Sequence, residues 1–358
     1  MYYQESYKCI MYKSNRELTE NVDYYLANLY GDESEKITVA SLAERLKIQI
    51  PVAKQYIDYY EQSRILERKY CILCPECKSP IRVVPADRVV SAIKEIQEMG
   101  ECYNCDTKIH NISADDIYVV YSRVKMYTSS SEERRKTFEK FNEKLFNKQS
   151  NYDFFKDADL VDVEDIMKIY FSPSESAVNE MRRMVNGLDD DYETTTEKGS
   201  SLEDLVLYLF GQVHCFSATK IYRTDTNQLD VTVKSVINFC QPSILDTLKP
   251  YFVCECKNEK KKAGNTYYHK LYSILEQTGG KVGILFSIEK AAETCKSIAH
   301  DKYLGGKHII LINITKSDLE KIIFDGMNVF EVLKEKIDAV TLNSESRLKE
   351  LGLDCLAK

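Results

Sequence analysis

The chain has 358 residues, 29% charged and 44% hydrophobic, with a formal net charge of -7 and twelve cysteines. That length points to two or three domains, and the apolar fraction excludes a wholly disordered chain. No apolar run approaches the roughly eighteen residues of a membrane helix, and Met1 to Lys13 lacks a signal-peptide core, so a soluble, cytoplasmic protein without a membrane partner is expected.

In chain order, Glu17 to Tyr30 is predicted as a helix with Leu18, Val22, Tyr25, Leu26 and Leu29 on its apolar side. Thr38 then caps a short helix burying Val39, Leu42, Ala43 and Leu46. Pro51 suits the first turn of a third helix, which buries Val52, Tyr56, Ile57 and Tyr60 ahead of a strand-like stretch from Ile65 to Ile72. Three helices and an extended segment over residues 1–70 resemble a winged helix-turn-helix, with Pro51 to Gln62 in the recognition position. On the exposed face of that helix, Asp58 and Glu61 offset Lys54 and Gln55, so DNA contact and protein contact both stay open.

Five of the twelve cysteines fall between residues 71 and 105. Four form two CxxC turns, Cys74-Pro-Glu-Cys77 and Cys102-Tyr-Asn-Cys105, separated by 24 residues. Two such turns supply a tetrahedral thiolate set, so a small zinc ribbon over 71–125 with structural Zn²⁺ is expected. A redox pair would instead be single and lie near a βαβ unit. Cys71 and His110 are fifth and sixth candidates, and the stretches after each pair, from Ser79 and from Thr107, suit hairpin arms. In a reducing compartment the remaining thiols read as small core hydrophobes.

Residues 132–148 are predicted as a charged helix with the apolar stripe Phe138, Phe141, Leu145 and Phe146. Residues 157–197 then hold twelve acids and three bases. Residues 126–197 therefore read as a helical and acidic linker, with a domain boundary near 198. Net acidity counts mildly against a nucleic-acid partner. The acidic stretch carries -9 of the charge, however, and the rest of the chain sums to +2, which removes the objection. The stretch is also placed to compete with DNA for basic surfaces.

From 198 to 358, helix and strand alternate. Predicted helices are Ser201 to Gln212, Asn265 to Gln277, Glu289 to Tyr303 and two starting at Ser317 and Asn328. Predicted strands are Leu229 to Val236, Tyr251 to Lys257, Lys281 to Ser287 and His308 to Asn313. Continuous apolar strands alternating with helices mark an α/β sandwich around a mixed, buried sheet. Asp230 lies near the start of one strand, and Glu255 and Lys257 lie two apart on the next, which puts them on one face with Cys254 and Cys256 on the other. Buried charges need a partner or a metal, and carboxylates on neighbouring strands make a hard oxygen site suited to Mg²⁺.

The order Leu202-Glu203 in a leading helix, Leu229-Asp230 in a hairpin strand and Glu255-Cys-Lys257 in the next strand resembles the PD-(D/E)xK nuclease superfamily, in its Mrr-type restriction-endonuclease branch. The resemblance covers roughly residues 199–315, and Leu229 stands where the motif nominally has Pro. It implies a restriction-endonuclease-like α/β/α core over 198–358, in which Asp230 and Glu255 hold Mg²⁺ or Mn²⁺, Lys257 assists the attacking water and Glu203 completes the metal site. His269, Lys270 and Lys261 lie downstream within reach of phosphate, with no motif to fix them, and Lys260 to Lys262 read as a solvated loop. The expected function is a metal-dependent endonuclease acting on DNA rather than RNA, with a restriction-like role in anti-phage defence and a homodimer as further expectations. The alternative is a non-catalytic regulator that binds DNA or a protein through its N-terminal module.

Overall fold

A computed structural model describes residues 2–29, 31–124, 160–190, 192, 194–223, 228–236 and 243–356. The charged helix expected over 132–148 lies outside the described residues. The chain forms two compact units, Met1–Asp162 and Val163–Lys358. Among the described residues no helix is long and apolar enough to cross a membrane.

In the first unit, a short helix α1 (Ile10–Ser14) precedes α2 (Arg16–Asn28), α3 (Val39–Leu46) and α4 (Ile50–Gln62). Thr38 caps α3 as its sequence predicts: its hydroxyl accepts the Ser41 N–H at 2.9 Å, and the Ser41 hydroxyl accepts the Thr38 N–H at 2.9 Å. Pro51 sits in the first turn of α4, where its missing N–H costs nothing. Val22, Leu26, Leu42, Tyr56, Ile57 and Tyr60 make the helical core, whereas Leu46 is only half-buried. The chain continues into β1 (Leu66–Leu73), the centre of an antiparallel sheet with β2 (Pro80–Val84) and β3 (Ile117–Arg123). β1 therefore joins the helices to the first CxxC turn. A helix not expected from sequence, α5 (Val89–Met99), takes up 11 of the 24 residues between the two turns, and Gly100 ends it at φ 84°.

The second unit starts earlier than the composition shift near 198 suggests. Helices α6 (Val163–Tyr170) and α7 (Glu175–Gly187) precede α8 (Thr195–Gly211). Most of their acids face outward, with Asp165 of α6 the buried exception. Ile166, Ile169 and Tyr170 of α6 and Ala177, Met181 and Val185 of α7 are buried, so an apolar stripe diluted by surface acids places both helices with the fold that follows.

Next come β4 (Phe216–Arg223), β5 (Gln228–Ser235), a short α9 (Ser243–Leu248), β6 (Tyr251–Lys257), α10 (Asn265–Thr278), β7 (Val282–Ser287), α11 (Glu293–Leu304) and β8 (Ile310–Thr315). Helices α12 (Lys316–Ile323), α13 (Val329–Thr341) and α14 (Ser346–Glu350) follow. The five strands form a mixed sheet in the order β4-β5-β6-β7-β8, antiparallel through β6 and parallel from β6 to β8. This is the α/β class with a mixed sheet expected above. Some boundaries move: α8 begins at Thr195 rather than Ser201, α11 begins at Glu293 rather than Glu289, and the last strand runs from Ile310 to Thr315.

Register and packing assign the two faces. Gly283 pairs with Val253, and a Cβ on Gly283 would come within 3.0 Å of Leu275, so this parity of β6 and β7 faces α10. The other parity carries Phe252 and Phe286, whose rings lie 5.2 and 6.0 Å from Phe210 of α8. Phe216 joins Phe252 at 5.3 Å and Phe330 of α13 at 5.5 Å, so one aromatic cluster binds α8 and α13 to the sheet. Fully burying a side chain of this size stabilises by roughly 1.5–3 kcal/mol.

Candidate metal centre and acid–lysine site

The first unit brings the four predicted cysteines together. Their sulfur atoms all lie within 4.8 Å of one another, with Cys74–Cys105 and Cys77–Cys102 each at 3.8 Å. A tetrahedron with metal–sulfur bonds of about 2.3 Å has edges of about 3.8 Å, so the set fits zinc, and the spacing is far beyond a disulfide bond. The two turns repeat one geometry. Cys74 O accepts the Lys78 N–H at 2.9 Å, and Cys102 O accepts the Asp106 N–H at 2.8 Å. The Cys74 N–H donates to Ser79 O, and the Cys102 N–H to Thr107 O, each at 2.9 Å. Lys78 and Asp106 both take φ 55° to close their turns. Hydrogen bonds from Ser79 and Asn104 pull the Cys77 thiol down to about 6, towards the thiolate a metal requires, while burial pushes Cys74 up to about 11.

The two spare candidates stay out of this cluster. Cys71 is buried on β1 against Leu73 and Val120, and burial pushes its thiol up to about 12. His110 is exposed. Of the two expected hairpin arms, Pro80–Val84 is a strand, but the segment after Cys105 contributes only a bridge between Glu101 and Lys108. With β3 already pairing β1, the sheet has its three strands without a second arm.

In the second unit the acids and lysines converge on β5 and β6. The ladder pairs Val231 with Cys254, and one step further the same register brings Asp230 level with Glu255. Asp230 Oδ2 accepts the Cys256 N–H at 2.8 Å. Glu255 is 2% exposed and lies on the α10 face, with Lys270 Nζ of α10 at 2.5 Å from Oε2 and Lys257 Nζ at 3.7 Å from Oε1. Lys257 also lies over the Tyr267 ring, 4.8 Å from its centroid. Cys254 and Cys256 are buried on the opposite face, as the alternation predicts.

Glu203 comes from α8. Lys220 of β4 lies 3.4 Å from Glu203 and 2.7 Å from Asp204, and donates to Ser200 Oγ at 2.7 Å. Burial raises both Glu203 and Glu255 above the usual carboxyl range; the charge of Asp230 adds to each, while Lys220 opposes the first and Lys270 and Lys257 oppose the second. Asp230 is thus within electrostatic reach of both acids. Burial and mutual repulsion together favour an added cation, and the donors are hard oxygens of the kind Mg²⁺ takes, although among the described residues only the four cysteines stand close enough to form a group of three or more metal ligands.

Three residues at this site carried little signal in the sequence. Lys270 was one of several downstream cations, and only its i,i+3 spacing from Tyr267 marks it as sharing the side of α10 that meets Glu255 and Lys257. Lys220 belongs to β4, an alternating strand whose pairing with β5 sequence alone does not disclose. Asn258, the residue after Lys257, is 5% exposed, and its Nδ2 donates to Lys198 O at 2.8 Å and Ser201 Oγ at 3.0 Å. It thereby ties the end of β6 to α8. By contrast, Lys260, Lys261, Lys262 and His269 are exposed, as a solvated loop and helix surface require.

No family model and no curated protein matches the chain. Among solved structures it is similar to a "DNA modification-dependent restriction endonuclease AspBHI", at 14% identity and a TM-score of 0.27, covering 49% of this chain and 44% of that one. The matched region spans less than half the length of that protein.

Proposed function

We propose that the second unit is a divalent-metal-dependent endonuclease that hydrolyses phosphodiester bonds in DNA. The observation that carries this reading is the buried Glu255, level with Asp230 on the neighbouring strand and flanked by two lysines within 3.7 Å. Asp230 and Glu255 would hold Mg²⁺ or Mn²⁺, with Glu203 of α8 as the outlying acid. Such an ion, when bound, polarises a phosphate and acidifies a water. Lys257, its ammonium held over the Tyr267 ring, orients the attacking water and offsets charge developing on the phosphate. Lys220 holds Glu203 in place from β4. The wall of Cys254, Cys256 and Phe252 behind β6 keeps water off the rear of the site, so the carboxylates act in a low dielectric.

The first unit supplies recognition in this reading, through its winged-helix-like helices and its zinc site. Lys54, the one cation within α4, pairs with Asp58 at 3.0 Å, and Glu61 of α4 pairs with Arg68 of β1 at 3.1 Å, which favours a protein partner over base reading for that helix. A restriction-like role in anti-phage defence follows from the same proposal, and cutting both strands would call for two copies of the chain.

The test incubates supercoiled and linear DNA with the protein and Mg²⁺ or Mn²⁺, beside Glu255→Ala and Lys257→Ala. Nicking by the wild type, lost by on the order of a hundredfold or more in both variants, is expected. Equal nicking by all three proteins, or none with either metal, overturns the proposal.

A further inference from the structure

Glu255 has two cations where one would neutralise it. They are not equivalent. Lys257 stands 3.7 Å from Oε1, and its ammonium is also held over the Tyr267 ring. Lys270 reaches across from α10 and donates to Oε2 at 2.5 Å, the shorter and better-directed of the two contacts, from a side chain still one-third exposed. Asp230, the other strand carboxylate, is instead turned onto the Cys256 N–H.

We propose that Lys270 is a placeholder cation: it occupies Glu255 until a divalent metal binds there, and is then released to a non-bridging oxygen of the substrate phosphate. The inference rests on the metal-site reading given above. A buried carboxylate left alone is costly, so the folded chain without metal needs an internal cation at Glu255. A divalent ion on the same oxygen repels an ammonium at hydrogen-bond distance, so the two cannot share Oε2. The long, partly exposed stem of Lys270 lets its head move without unfolding α10, whereas Lys257 keeps its ring contact and stays. Metal occupancy and the delivery of a phosphate-seeking lysine are thereby one event. Lys270 acts as a positioning residue for the anionic substrate, and the site is assembled only when the metal is in place.

The experiment measures Mn²⁺ binding by the full chain at pH 8 without DNA, from the electron paramagnetic resonance signal of free Mn²⁺. Wild type is compared with Lys270→Met, Lys270→Gln, Lys270→Arg and Glu255→Gln. Removing the competing ammonium is expected to tighten Mn²⁺ binding about tenfold in Lys270→Met, because a charge-assisted hydrogen bond no longer has to be broken. Lys270→Gln should tighten it likewise, so a packing fault special to one variant does not decide the matter, and Lys270→Arg should stay near wild type. Unchanged or weaker binding in both neutral variants overturns the placeholder role, as does equal tightening by Lys270→Arg. Glu255→Gln should lose the site. If it binds Mn²⁺ as well as wild type does, the metal-site reading itself fails, a result distinct from failure of the placeholder alone.

Discussion

Replacing Asn258 with Ala separates the stability of the second unit from the alignment of its site. The side chain is 5% exposed and makes two short hydrogen bonds, to Lys198 O and Ser201 Oγ, with a longer contact of 3.5 Å to Leu188 O. Each short bond contributes about 1 kcal/mol. Two things offset their loss. Ser201 Oγ already donates to Lys198 O at 2.8 Å, so neither acceptor is stranded. Asn258 Oδ1 is buried without a partner among the described atoms, and its removal returns about 1 kcal/mol or more. The net destabilisation is then about 1 kcal/mol, a fall of about 2–4 °C in Tm for a unit of this size. Activity should respond far more. Asn258 follows Lys257 directly and fixes the end of β6 to the helix that carries Glu203, and a misplacement of about 1 Å at such a site costs on the order of a hundredfold. The assay pairs thermal melting with initial rates of plasmid nicking at 25 °C, where both proteins are folded. A rate within about threefold of wild type refutes the reasoning, because the tether would then have no bearing on alignment.

Burial and Asp230 raise the Glu255 carboxyl, so ionising it costs the folded state: stability without metal falls as pH rises from the ordinary carboxyl range through the folded value, and is lowest above it. Glu255→Gln should therefore melt higher than wild type at pH 8 in chelator and nearly equal at pH 4, and a lower melting point at pH 8 contradicts the sign. Freshly purified protein should carry about one zinc per chain, and Cys102→Ser should lose it together with the fold of the segment around α5, read by metal analysis and proteolysis. Asp189, just beyond α7, is ion-paired with Lys316 of α12, so Asp189→Asn should leave that lysine only its longer contact of 3.8 Å to Glu320, tighten DNA binding and steepen its salt dependence by up to about one counterion; an unchanged salt curve rejects the acidic stretch as a competitor for DNA.

The parts of the fold legible in the sequence are those in which local chemistry and tertiary demand agree. Thr38, Pro51 and Gly279 mark helix ends by backbone requirements that hold in any context, and the apolar runs of β7 and β8 need a sheet covered on both faces. The four cysteines declare their site because spacing alone closes the tetrahedron. What was hidden depends on pairing across the chain. β4 has alternation but no apolar run, and α6 and α7 bury stripes beneath an acidic surface. The constellation around Glu255 was half visible: Glu255 and Lys257 follow from strand parity and Asp230 from the family resemblance, whereas Lys270, Lys220 and Asn258 reach the site only through helix packing and sheet order.

Cys254 and Cys256 line the hidden side of the strand that bears Glu255, and burial lifts both thiols well above their ordinary range. A thiol that is neither ionised nor accessible reacts with an alkylating reagent only in molecules whose sheet has opened. The central strand therefore carries its own reporter of local opening. Comparing the alkylation rate of this pair with and without divalent metal or DNA would measure how strongly each ligand closes the sheet, with no catalytic readout and no introduced cysteine.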